Sequence, residues 1–151
     1  MNPWLRSTIL IFWAISLPVS LCLAEEGLTI AELLADPQPY HLHAVELTGT
    51  VLRVQPIPPY FLPSGNVGCY GAYKFSLEDD TGQLDVTVLG LCGKPLVREP
   101  EVSDGHRIHI QAEIHAPGHH GFFLTLDGRL RLSDASDTMQ VIAKRIQPLP
   151  Q

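Results

Sequence analysis

The sequence predicts an all-β fold: a small closed barrel of five strands, with one short N-terminal helix, preceded by a signal peptide. Three observations predict it. Successive segments alternate apolar and polar side chains with a period of two, which marks half-buried strands. Turn residues, Asp79-Asp80-Thr81-Gly82 above all, punctuate those segments at short intervals. Five strands, one of them bent in its middle, suit a closed barrel because closure leaves no sheet edge exposed. The 151 residues contain no low-complexity tract and no internal repeat, so one domain is expected.

Residues 1–24 are expected to lie outside that domain, which then spans 25–151. Arg6 gives a positive start, "STILIFWAISLPVSLCLA" is almost wholly apolar, and Cys22-Leu23-Ala24 ends on a small residue. Those are the three parts of a secretory signal, cleaved near Ala24. The apolar run is broken by Pro18 and is shorter than the ~20 residues that a spanning helix needs. Export to the periplasm or the extracellular space is the resulting expectation. Two alternatives would keep the chain on a membrane. One is an uncleaved anchor, with Trp4 and Trp13 at the interface. The other is lipidation at Cys22, because "VSLC" faintly resembles a bacterial lipobox, although bulky Leu21 stands where that motif has a small residue.

The formal charge of the whole chain is −6, and removing residues 1–24 takes away Arg6 and no acid. The mature surface is therefore more acidic still and repels phosphates on average. It lacks the basic footprint of a nucleic-acid binder.

The elements follow in order. In "LTIAELLADPQPY", Thr29 caps a short helix, Glu32 sits three residues on, and Pro37 stops it. "HAVELTGTVLRV" is a strand with Val45, Leu47, Gly49 and Val51 inward; after Val51 the parity slips, which a bulge or bend explains. Next come the two halves of a hairpin, 73–78 and 83–88. With the turn centred between Asp80 and Thr81, Tyr73 meets Val88, Phe75 meets Val86 and Leu77 meets Leu84. A slip of one residue would set Phe75 against Thr87, which a buried face opposes.

The same register, continued outward, sets Cys69 opposite Cys92, and these are the two cysteines left once the signal is gone. An oxidising compartment would join them. The bridge closes a loop worth about 3 kcal/mol in the chain-entropy model. The alternative is two unrelated small apolar residues, since Gly71, Gly90 and Gly93 can spoil an extrapolated register. No Cys-x-x-Cys is present, so a catalytic redox role is not expected.

"GHRIHIQAEIHA" alternates without fault, with Ile108, Ile110, Ala112 and Ile114 inward. "PGHHG" turns it into "FFLTLDGRLRL", giving a second hairpin in which Gly128 marks a further bend. "MQVIAKRI" fits either a closing strand or a short helix, and periodicity leaves both open.

"VELTGTVLRV", "YKFSLEDDTGQLDVTV" and "SDGHRIHIQAEI" together resemble the oligonucleotide/oligosaccharide-binding (OB) fold family. The resemblance is to its anticodon-binding and helicase-associated branch, here in an exported form, and it covers about residues 27–147. It implies a five-stranded Greek-key barrel. It also implies a ligand on the face of the second and third strands and between two loops, one joining the first two strands and one joining the last two. Single-stranded nucleic acid is the ligand class the family most readily suggests.

The outward residues depart from that pattern. Lys74, Ser76, Glu78, Gln83, Asp85 and Thr87 contribute one cation and no aromatic platform, whereas single strands need a cationic groove with stacking rings. The loops are richer. "QPIPPYFLPSGNVGCYG" brings Tyr60, Phe61 and Tyr70 among Pro56, Pro58, Pro59 and Pro63, and prolines lower the entropic cost of holding one shape. "APGHHGFF" brings His119, His120 and Phe123 to the opposite lip. With Arg53 and Lys74, these residues form the expected ligand-binding set. The alternative for Tyr60 and Phe61 is that they plug a barrel end.

Five of the seven histidines lie between 106 and 120, which raises a metal question. His109 and His115 share a face, but six residues of strand at about 3.3 Å each hold them too far apart for one ion. No Cys or carboxylate spacing completes a metal site, so neither metal nor cofactor is expected. No nucleophile elbow, nucleophile–base pair or phosphate loop is legible, so no enzyme is expected either. The expectation is a non-enzymatic exported module that holds a small molecule, a glycan or a protein segment between the two loops. Single-stranded nucleic-acid binding is one alternative. A scaffold subunit of an envelope complex is the other.

Overall fold

The computed structural model describes residues 27–63, 65–93, 99–133 and 138–150. The expected signal peptide, with Cys22, lies outside the described residues. One short helix, α1 (Ile30–Ala35), leads into β1 (Ala44–Pro56). There follow β2 (Tyr60–Phe61), β3 (Gly68–Tyr70), β4 (Tyr73–Glu78), β5 (Gln83–Val88), β6 (Leu91–Cys92), β7 (Arg107–His115), β8 (Gly121–Leu124), β9 (Leu130–Ser133) and β10 (Gln140–Pro148). Five of these strands close into a barrel in the order β1-β4-β5-β10-β7. That architecture is compatible with the OB fold.

The barrel follows from the alternation of the sequence. Val45, Leu47 and Val51 of β1, Phe75 and Leu77 of β4, Val86 of β5 and Ile108, Ile110, Ala112 and Ile114 of β7 form one continuous core. The β4–β5 register pairs Tyr73 with Val88, Phe75 with Val86 and Leu77 with Leu84, as the apolar pattern requires. At Gly49 β1 runs close against β4: a Cβ there would stand 2.5 Å from the Glu78 carbonyl oxygen, which only glycine permits. The parity slip after Val51 is a bulge between Leu52 and Gln55.

The helix closes one end of the barrel. Thr29 and Glu32 form a reciprocal capping box, and Ile30 and Leu33 are fully buried. The hairpin turn completes the cap from a distance. Asp79 Oδ2 accepts from the Ile30 N–H at 2.9 Å, and Thr81 Oγ1 accepts from the Ala31 N–H at 3.0 Å. Asp79 Oδ1 meanwhile accepts from the N–H groups of Thr81 and Gly82 inside the turn. One aspartate thus shapes the turn and satisfies an amide that the first helical turn leaves open.

Two small sheets stand outside the barrel. In the loop between β1 and β4, β2 and β3 pair and β6 joins them, in the order β2-β3-β6. Cys69 of β3 faces Cys92 of β6, and a disulfide joins them across 23 residues. The second small sheet corrects an expectation. Residues 122–132, expected to pair with 107–115, fold back on themselves as the β8–β9 hairpin. Thr125 and Gly128 make that turn: the Thr125 Oγ1 accepts from the Arg129 N–H at 3.2 Å, and Gly128 adopts φ +75°. The strand that closes the barrel is instead β10, which settles residues 140–148 as strand. It lies antiparallel along β7 and meets β5 in parallel at only two positions, Val141↔Val86 and Ile142↔Thr87.

Candidate functional site

The two loops do meet. Ile57, Tyr60, Cys69 and Ala72 form a satellite core, with Leu62 and Leu124 packed against it, so the β8–β9 hairpin rests on the β2–β3 arm. At the hairpin's turn, Gly128 lies so close to Pro58 that a Cβ would sit 2.9 Å from the Pro58 carbonyl oxygen. This contact joins the two sides of the expected mouth. Tyr60 is 4% exposed and plugs the junction, where burial pushes its phenol above the ordinary value against a backbone hydrogen bond from Gly90. Phe61 is 61% exposed, and Tyr70 is half-buried.

The histidines of the opposite lip divide. His119 lies flat against His41, with ring centroids 3.6 Å apart and planes 14° from parallel, and its Nε2 lies 3.1 Å from Gln38 Oε1. His115 meets the edge of His41 at 6.3 Å and pairs with Glu113 at 2.8 Å. Gln38 also donates to the Pro117 carbonyl, and the Ala116 N–H donates to His41 Nδ1. These contacts clasp the segment after the helix to the segment after β7. His120 is exposed. No group of three or more His, Cys, Asp or Glu side chains is disposed to hold a metal ion among the described residues.

An open cleft remains on the other side of the hairpin. A cavity of ≈ 220 Å³ is lined by Arg53, Gln55, Lys74, Phe75, Ser76, Asp85 and Leu126. A second, of ≈ 430 Å³, adds Thr87, Phe123, Leu124, Met139 and Gln140. They meet at Lys74, Asp85 and Leu126, which line both. The floor is the outward face of β4 and β5, and the wall is the hairpin. Of the expected set, the structure brings Arg53, Lys74 and Phe123 to this cleft; Tyr60, Phe61, Tyr70, His119 and His120 are not among its lining residues.

A polar chain crosses the floor. Arg53 Nη2 donates to Ser76 Oγ at 2.8 Å, Ser76 Oγ donates to Asp85 Oδ1 at 2.8 Å, and Lys74 Nζ lies 3.0 Å from Asp85 Oδ2. Ser76, outward by parity, is nevertheless only 3% exposed. Desolvation pushes the Asp85 carboxyl up. The hydrogen bonds from Lys74 and Ser76 and the charges of Lys74 and Arg53 outweigh it and hold it below the ordinary carboxylate value.

Arg53 owes its place to the bulge. Its φ is +54°, a conformation that non-glycine residues adopt at a cost. The Asp104 side chain accepts from the Val54 N–H at 2.9 Å and holds the bulge from outside. Sequence reading found the bulge but missed Ser76, Asp85 and Asp104 as working parts. Their signal was the bulge itself, because a break in β1 re-aims the side chain that sits in it.

A hydroxyl–imidazole–carboxylate chain lies elsewhere. Thr48 Oγ1 is 3.0 Å from His109 Nδ1, and His109 Nε2 is 2.7 Å from Glu46. Thr48 and His109 are direct cross-strand partners on the outer face of β1 and β7, so the contact is ordinary sheet pairing. Comparison with protein-family models, curated proteins and solved structures gives no match to this chain.

Proposed function

We propose that this protein is a non-enzymatic, exported binding module of the OB type, and that it holds its ligand in the cleft between the β4–β5 face and the β8–β9 hairpin. The observation that carries this reading is the strained Arg53, held over a buried serine at the entrance of a preformed cleft. Strain of this kind costs about 1–3 kcal/mol and persists where the surroundings over-determine it, most often at binding sites. The combined cavity falls in the size range of small-ligand sites, which are mostly apolar with a few placed polar groups. The disulfide between Cys69 and Cys92 supports an oxidising compartment.

Native mass spectrometry of the purified, disulfide-bonded protein tests the site. A bound species is expected on the wild type and is expected to be absent from Thr87→Trp, which fills the cleft floor. Retention of that species by the folded variant would overturn the site. Chromatography on immobilised single-stranded DNA tests the class. No retention at low ionic strength is expected, because Phe123 is the one aromatic side chain that the hairpin turns to the cleft among the described residues, and the protein is acidic. Tight, salt-sensitive retention would replace this reading with nucleic-acid binding.

One observation favours a second reading, a subunit of an envelope complex. Phe122 and Leu132 face each other across β8 and β9 and are 49% and 62% exposed. Crosslinking at Phe122 to a co-purifying protein would support it.

A further inference from the structure

We propose that the cleft selects an amphipathic monoanion, a single carboxylate head carrying a hydrocarbon tail; this rests on the cleft being the binding site.

Charge comes first. Arg53 and Lys74 are the cations of the lining and Asp85 is its anion, which stays ionised at neutral pH because Lys74 and Ser76 bond it. One net positive charge remains. It balances a monoanion, whereas the second charge of a dianionic phosphate would find no cation of the lining left to balance it.

The donors come next. Ser76 engages one terminal nitrogen of Arg53, and the other N–H groups of that guanidinium have no partner among the described residues. A guanidinium presents its donors as a planar fork that matches a carboxylate in two parallel hydrogen bonds. The left-handed backbone at Arg53, fixed through Val54 by Asp104, holds that fork at the smaller cavity before any ligand arrives. Such preorganisation lowers the ordering cost of binding.

The wall decides the tail. Leu126 stands between the two cavities, and beyond it the larger one continues along Phe123, Leu124 and Met139. Apolar side chains there reward hydrocarbon removed from water. Met139 adapts to chains of varied shape.

Isothermal titration of the disulfide-intact protein with decanoate, decanol and decyl phosphate, each below its micelle concentration, tests the assignment. Decanoate is expected to bind one-to-one, at least tenfold tighter than either of the others. Arg53→Gln should weaken decanoate at least tenfold and leave decanol unchanged, while Arg53→Lys should restore only part of the loss. Asp104→Ala, which frees the bulge and touches no ligand, should weaken decanoate selectively, and it keeps the test valid if Arg53→Gln does not fold. Equal affinity for decanol and decanoate would overturn the head-group assignment, and so would a folded Arg53→Gln with wild-type affinity. Either result leaves the cleft standing as a site if Thr87→Trp still abolishes binding. Tighter binding of decyl phosphate, or no binding of any probe, would overturn the monoanion; the mass-spectrometric comparison then decides the cleft by itself.

Discussion

At Gly49 the fold turns on a missing methyl group. β1 serves two neighbours at once, β4 and β7, and has to bend to do so. A Cβ at Gly49 would press into the backbone of Glu78, which has no flexible end that can yield. Gly49→Ala is expected to destabilise the protein by about 1–3 kcal/mol, the usual range for overpacking, read as a lower urea midpoint with an unchanged slope. The inward parity of residue 49 was legible in the sequence. Its closeness to Glu78 was not, because the distance between two strands is a tertiary quantity. Arg53 shows the same divide. The break in alternation located the bulge, but nothing local says that Ser76 and Asp85, more than twenty residues on, lie beneath the side chain it re-aims.

Elements are joined here by side chains that serve two masters. Asp79 and Thr81 shape the hairpin turn and also receive the first amides of the helix, forty-nine and fifty residues away. Thr29→Ala, which removes only the local cap, is expected to cost about 1 kcal/mol. Asp79→Ala should cost more, since it loosens the turn and the helix together; chemical denaturation of the two variants checks the order. The capping box was readable because it spans four residues, whereas the second cap joins elements that meet only in the folded chain.

The histidine clasp makes a prediction in pH. Desolvation, then the charges of His119, His115 and His43, push His41 below its ordinary value of 6.5. Glu113, which His115 and Lys144 both contact, is the acid beside this cluster. The folded state therefore binds the His41 proton less readily than the unfolded chain. Its stability contribution is intact above 6.5 and is lost as pH falls below that value, until the folded group titrates. Urea midpoints measured from pH 7.5 to 5 should decline for the wild type, and His119→Gln should decline less steeply. Sequence reading sent His119 to the mouth because loops carry no periodicity from which to infer a partner.

Across the whole molecule, the barrel was the legible part and its attachments were not. Period-two alternation specified the walls of β1, β4, β5 and β7, and extrapolated register brought Cys69 to Cys92. The Asp127-Gly128 turn was passed over, so one long strand was expected where a hairpin stands. Two overlapping signals, a bend and a turn, had been read as the weaker one. Reducing the disulfide is expected to lower the free energy of unfolding by about 3 kcal/mol, measured with and without a thiol, with the Cys69→Ser/Cys92→Ser variant matching the reduced form.

The barrel's narrowest joint is the seam between β5 and β10. β10 touches β5 over two rungs but borders β7 over eight, and the cylinder cannot close without residues 140–148. Without that stretch the other four strands form an open sheet whose β5 and β7 edges invite any passing strand. Amides bonded across the β5–β10 seam should accordingly trade their hydrogens for deuterium ahead of those bonded across the β7–β10 seam. Both edges stand unsheltered until the final strand arrives.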